Sequence, residues 1–214
     1  MSLHRALRSD WSAVAPQERN IWQRWAAVSH GVFTPGNIIS VTGGALVIWG
    51  LVLLSRNGLI TGSGAIIIGR LCDLLDGLVA EHTKTKSPLG EFVDATIDKI
   101  LIVLALFVLV NHELIPIAVG TLMFIHAAYM IGLATIARDI KAPLHPSRSG
   151  KLATAFEWLS VALYMFAAIL KQQNYSSLLT SRLAFISFLL FIFAALWSTR
   201  NYTRYIYYKK KMRP

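Results

Sequence analysis

Positions 70–100 read RLCDLLDGLVAEHTKTKSPLGEFVDATIDKI, and the sequence on either side is strongly apolar. Four aspartates, Asp73, Asp76, Asp94 and Asp98, fall in this stretch together with Arg70, Glu81 and Lys99. At about 100° per residue, Asp73, Asp76, Gly77 and Ala80 share one face of a helix, and Gly90, Asp94 and Asp98 share one face of the next. The polar connection between them is short, so the two helices are expected to be antiparallel neighbours on which four carboxylates can converge. Uncompensated carboxylates in one place repel one another and require cations. Arg70 and Lys99 could serve as ion-pair partners. Oxygen-only ligands also select hard divalent ions, Mg2+, Mn2+ or Ca2+, over softer metals. Two such ions can hold a diphosphate and make its phosphorus a better electrophile, which points to phosphoryl-group chemistry. Gly77 and Ala80 would leave room for a ligand beside the aspartates. Interhelical ion pairs and a carboxylate-lined transport path are the competing readings, and periodicity alone does not choose among the three.

The elements that must position these residues are helices in lipid. Apolar residues make up 55% of the chain, mean hydropathy is +0.52, and charged residues are 15%, against about a quarter in a soluble domain. The expected fold is an all-α integral membrane protein, with six transmembrane helices at 38–55, 59–81, 90–110, 114–137, 152–170 and 178–198, each near the roughly 20 residues a bilayer requires. Positions 1–37 form a cytoplasmic or interfacial segment without the continuous apolar core of a cleavable signal peptide, amphipathic over 17–33. Positions 38–199 form the six-helix domain, and 200–214 a basic cytoplasmic tail. That tail, rich in Tyr and Lys, is expected at the surface of an anionic leaflet.

The formal charge is +10, from 21 basic and 11 acidic residues. The basic residues cluster between apolar runs and at the C-terminus, which marks cytoplasmic loops and excludes nucleic acid as a partner. Arg56, Lys171 and Arg182 alone fall on the opposite side. Both termini and the carboxylate pocket are therefore expected on the cytoplasmic side of the cytoplasmic membrane. The lone Cys72 rules out an internal disulfide framework. The glycines of TGSG at 61–64 read as close helix packing, since the spacing and lysine of a phosphate loop are missing. His126 reads as a packed histidine. Glu157, inside the fifth span, needs a partner and is either pocket lining or paired with Arg138.

The spacing Asp73, Asp76-Gly77, Ala80, Gly90, Asp94, Asp98 resembles the signature of the CDP-alcohol phosphatidyltransferases, and the likeness extends over about 34–199. The resemblance implies that Asp73, Asp76 and Asp94 hold two divalent cations, Mg2+ or Mn2+, together with Asp98, which is also the expected general base. It implies a CDP-linked lipid donor, usually CDP-diacylglycerol, with cytidine near Gly77, Ala80 and Gly90. A small alcohol would be the acceptor and CMP the leaving group, in phospholipid biosynthesis, and the protein would form a homodimer. Glu81 stands where the signature usually has Arg, and Lys84 or Lys86 could supply positive charge from the loop. TPGNIIS at 34–40 resembles the start of the family's first span, where Asn37 reads mainly as part of a turn and helix start.

SRSGKLATAFEW at 147–158 is similar to phosphatidylglycerophosphate synthases through Gly150, Lys151 and Thr154, while Ala153 and Glu157 depart from their pattern. Arg138 and Lys151 abut the inner ends of the fourth and fifth spans and could receive a phosphorylated acceptor by charge-assisted contacts. Ordinary positive-inside topology accounts for at least half of the basic rim. Glycerol 3-phosphate, an inositol phosphate, a second phospholipid and an amino alcohol all stay open as acceptors. A non-catalytic or ion-translocating membrane protein is the alternative from another class. The apolar outer halves at 100–110 and 115–120 disfavour conduction.

Overall fold

The computed structural model describes residue 12 and residues 14–85, 88–139 and 148–211, without the side chains of 74, 88–96, 138, 139 and 210. Among the described residues there are seven helices and no strand: α1 (Ile21–Val28), α2 (Pro35–Ser55), α3 (Leu59–His82), α4 (Pro88–Asn111), α5 (Ile117–Asp139), α6 (Arg148–Gln172) and α7 (Leu178–Lys211). The chain divides into two compact units, Met1–Leu101 and Ile102–Pro214, with the division inside α4. Each is described by itself below.

In the first unit, α2 and α3 form an antiparallel pair held by a glycine seam. Gly36, Gly43 and Gly50 recur every seven residues on α2, which is two helical turns. A Cβ added at Gly43 would lie 2.7 Å from the Gly69 carbonyl oxygen, and one at Gly50 would lie 2.7 Å from that of Gly62. One step further in the same register, a Cβ at Gly36 would meet the Asp76 carbonyl oxygen at 3.1 Å and the Ala80 Cβ at 3.0 Å. Lipid offers no hydrophobic drive for helix association, so this close backbone approach and its dispersion contacts do that work. Gly62 thus packs as the TGSG reading expects, whereas Gly64 faces open space.

Local signals set the ends of this pair. Thr34 caps α2, its hydroxyl accepting the Asn37 N–H at 3.2 Å, and Pro35 occupies the first helical position. Asn37 Nδ2 donates to the Gly31 and Val32 carbonyls, each at 3.0 Å, which is the structural role expected of it. The α2–α3 turn places Asn57 at φ 64°, a left-handed conformation that asparagine tolerates.

In the second unit, α6 and α7 meet through small residues and serine hydroxyls. Ser160 donates to the Ala184 carbonyl and Ser187 to that of Phe156, both at 3.2 Å. His126 packs edge-on against Phe191, with ring centroids 5.2 Å apart. Glu157 is fully buried on α6, sharing a face with Ala153 and Ser160. The end of α5 packs on α7: Leu133, Ala137 and Ile206 form a buried cluster with Met130, Tyr202 and Tyr205, and the Tyr129 and Thr203 hydroxyls are 2.9 Å apart. α7 therefore continues to Lys211, past the end read for the sixth span at 198. Its 34 residues span about 51 Å, well beyond a hydrocarbon core of about 30 Å.

Four helices among the described residues are long and apolar enough to cross a membrane, at Pro35–Ser55, Ile117–Ala137, Arg148–Gln172 and Leu178–Lys209. α3 and α4 have 24 residues each, enough for a span, but they carry the ionisable cluster. Among its described residues the molecule is an all-helical membrane protein.

Candidate active site

The site grows from Arg70 in the middle of α3. Asp73 lies three residues on, within reach on the same face, and Arg70 Nη2 meets Asp73 Oδ2 at 2.8 Å. The other arm of the guanidinium crosses to α4, where Nη1 lies 2.8 Å from Asp98 Oδ1. The side chains of Arg70, Asp73 and Asp98 are 15%, 21% and 16% exposed, so the bridge is largely desolvated. A planar guanidinium suits this task because its arms can serve two carboxylates at once. The contact to Asp98 lacks the angles of a hydrogen bond, which leaves Oδ1 buried with acceptor capacity unused.

Asp76 is buried where the glycine seam brings α2 against α3. Its carboxylate Oδ2 accepts a short hydrogen bond from the Ser40 hydroxyl, which also lies 3.1 Å from the Gly36 carbonyl oxygen. Gly77 is exposed, and a side chain there would meet open space. Ala80 instead packs on Gly36, which makes it part of the seam.

The structure thus brings Asp73 and Asp98 together through Arg70 and holds Asp76 separately through Ser40. Asp94 and Gly90 lie near the start of α4, with the Asp94 side chain outside those described. Among the described residues no three His, Cys, Asp or Glu side chains are grouped closely enough to hold a metal ion. The chemistry of the donors nevertheless fits hard cations: the groups are carboxylates, and Asp98 Oδ1 is a buried acceptor without a hydrogen bond.

The remaining candidates sit at helix ends. Glu81 is exposed one turn after Gly77, in the last turn of α3, and Lys84 is exposed in the turn that follows; Lys86 lies outside the described residues. Arg138 is in the last turn of α5, its side chain likewise outside those described. Lys151 is exposed in the first turn of α6, which begins four residues before the position read from hydropathy.

Two contributors escaped the sequence reading. Ser40 is one helical turn beyond Gly36, and the seven-residue glycine spacing on α2 could have placed it opposite Asp76. Asn20, the N-cap of α1, and Gln23 on α1 reach the α3–α4 turn through side-chain hydrogen bonds, for which the sequence carries no signal beyond a helix cap.

Searches of curated proteins and of solved structures return no match. A family model, that of the CDP-alcohol phosphatidyltransferases, matches residues 33–199, which takes in α2 to the middle of α7 and all four aspartates. Over most of its length, then, the chain belongs to the CDP-alcohol phosphatidyltransferase family, a family of phosphotransferases.

Proposed function

We propose that this enzyme transfers a phosphatidyl group from CDP-diacylglycerol to a small alcohol, releasing CMP, with Asp73, Asp76, Asp94 and Asp98 as the centre of the site. The observation that carries this reading is the Arg70 bridge between Asp73 on α3 and Asp98 on α4, within the part of the chain that matches the family. Membership implies transfer from a CDP-alcohol in lipid biosynthesis. The donor's lipid and the acceptor are our assignment.

Asp98 is the general base. The acceptor hydroxyl passes its proton to the Asp98 carboxylate as its oxygen forms a bond to the phosphorus that bears the lipid. The bond from that phosphorus to the CMP oxygen breaks, and CMP leaves with the electron pair. Two divalent cations, Mg2+ or Mn2+, held by Asp73, Asp76, Asp94 and Asp98, would supply charge neutralisation at the diphosphate. Arg70 fixes the orientation of Asp73 and Asp98, and Ser40 that of Asp76, so proximity and preorganised charge contribute most of the catalysis. Cytidine is accommodated along the open face of Gly77 and near Ala80 and Gly90.

The layout that serves this chemistry has six spans, with α3 and α4 joining the four apolar helices. Both termini and the site face the cytoplasm from the cytoplasmic membrane, and positions 1–37, 38–199 and 200–214 act as interfacial segment, catalytic domain and basic extension. Arg138 and Lys151 favour a phosphorylated acceptor, with glycerol 3-phosphate as first choice and inositol phosphate as second, in a homodimeric enzyme. Purified protein with Mg2+ or Mn2+, CDP-diacylglycerol and a panel of alcohols tests this by CMP release. Release with glycerol 3-phosphate supports the full reading, release with another alcohol corrects the acceptor, and metal-independent or absent release refutes it.

A further inference from the structure

α1 is amphipathic in an unusual sense, because the face it exposes is the apolar one. Ile21, Trp22, Trp25 and Val28 are all exposed, Trp25 by 63% and Val28 by 84%, whereas Gln23 and Ala26 on the opposite face are buried. Arg19 and Arg24 flank the apolar face. α2, which is long and apolar enough to cross a bilayer, starts seven residues after α1 ends. A tryptophan-bearing face beside cations at the foot of a membrane span is suited to the headgroup region of a bilayer.

The exposed N-cap of α1, Asn20, and the buried Gln23 both reach another segment. Asn20 Nδ2 donates to the Thr83 carbonyl at 3.3 Å, and Gln23 Nε2 donates to the Lys84 carbonyl at 3.4 Å. These carbonyls belong to the turn that joins α3 to α4. In that turn Lys84 has φ 55°, a left-handed conformation that glycine would adopt more readily. The turn is closed by the Thr85 N–H to the Ala80 carbonyl at 2.9 Å and the Lys84 N–H to the Glu81 carbonyl at 3.1 Å, the double bond pattern that ends a helix on a left-handed residue. That conformation carries a small cost for a lysine, and the bonds from Asn20 and Gln23 add to those that close the turn.

We propose that α1 is a membrane-seated clamp: its apolar face enters the bilayer interface while Asn20 and Gln23 grip the α3–α4 turn, so that lipid contact sets the register between Asp73 and Asp76 on one helix and Asp98 on the other. Asn20 and Gln23 are positioning residues. The proposal rests on the carboxylate site being the cation site, and it predicts that cation affinity depends on α1.

The same two side chains also form a capping box, in which Asn20 Oδ1 accepts from the Gln23 N–H at 2.8 Å and Gln23 Oε1 accepts from the Asn20 N–H at 3.1 Å. Asn20→Asp with Gln23→Glu keeps those acceptors and removes both donors to the turn, so the helix survives while the clamp is cut. In full-length protein reconstituted into phosphatidylcholine vesicles with an anionic lipid, two readouts decide: hydrogen exchange of the Lys84 and Thr85 amides, and Mn2+ affinity from electron paramagnetic resonance. The double variant is expected to accelerate exchange and weaken Mn2+ binding by between about fivefold and 150-fold, the range for two hydrogen bonds. Trp22→Ser with Trp25→Ser, which leaves the clamp bonds in place, is expected to move both readouts the same way. Unchanged exchange and Mn2+ affinity in the clamp variant overturn the proposal. A change in the clamp variant but none in the tryptophan variant removes the lipid from it. Gln23→Glu alone is the milder test if the double variant does not insert. Neither readout requires CMP release, so a wrong substrate assignment and a wrong clamp are told apart.

Discussion

Replacing Arg70 by Gln should destabilise the protein far more without divalent cations than with them. The substitution removes the guanidinium that lies 2.8 Å from both Asp73 and Asp98 and leaves two mutually repelling carboxylates in a largely desolvated place. Deleting one partner of a fully buried ion pair costs about 3–5 kcal/mol. The residual exposure of these side chains, 15–21%, lowers the expectation to about 2–3 kcal/mol. In a chain of this size that corresponds to a fall in Tm of roughly 5–10 °C. Mn2+ at about a hundred times its Kd would return about 2.7 kcal/mol through binding, and the variant should gain more from it than the wild type does. Arg70→Lys should recover only part of the loss, since an ammonium lacks the two-armed fork. Thermal unfolding in detergent micelles, with Mn2+ and with a chelator, measures this. An equal loss of Tm under both conditions, or none, would refute the reasoning that these carboxylates form one cation-dependent group.

The glycine seam predicts that Gly50→Leu costs about 3 kcal/mol or more, because its Cβ would lie 2.7 Å from both the Gly62 carbonyl oxygen and Ile66 Cγ1. Gly64→Leu, directed into open space, should leave Tm within a degree or two, and equal losses at the two positions would contradict the seam. Ser40→Ala removes the hydroxyl that donates to Asp76 and should lower stability in chelator by about 1.5–3 kcal/mol, again read by thermal unfolding. Ile206→Ala tests whether the end of α7 is part of the folded bundle: the residue is buried against Leu133 and Ala137, and its loss should cost about 2 kcal/mol, whereas a solvated tail would show no change.

The helices were legible because lipid imposes length and apolarity together, and those are properties of sequence. The boundaries that shifted did so for local reasons: α2 starts early at the Thr34 cap and Pro35, and α7 runs long because Tyr202, Tyr205 and Ile206 find partners on α5. The spacing of the four aspartates, and Arg70 as an ion-pair partner, could be read directly. What spacing could not convey was which residues compensate which charges. Asp76 is held by Ser40 from a different helix, and that contact depends on the register of Gly36, Gly43 and Gly50 against α3. Ala80 matched the family motif, but its contact with Gly36 depends on that tertiary register too. The contacts of Asn20 and Gln23 with the α3–α4 turn span more than sixty positions of sequence, and helix periodicity carries no information at that distance.

The central claim is that the carboxylates spanning α3 and α4 perform phosphatidyl transfer with Asp98 as the base. Its most direct test is metal-dependent CMP release from CDP-diacylglycerol by reconstituted wild-type protein, Asp94→Asn and Asp98→Asn, each shown to be folded by its thermal transition. Mg2+- or Mn2+-dependent release by the wild type is expected, with a loss of at least about a hundredfold in Asp98→Asn, the lower bound for removing a general base, and a comparable loss in Asp94→Asn. Folded variants that release CMP at the wild-type rate would contradict that claim.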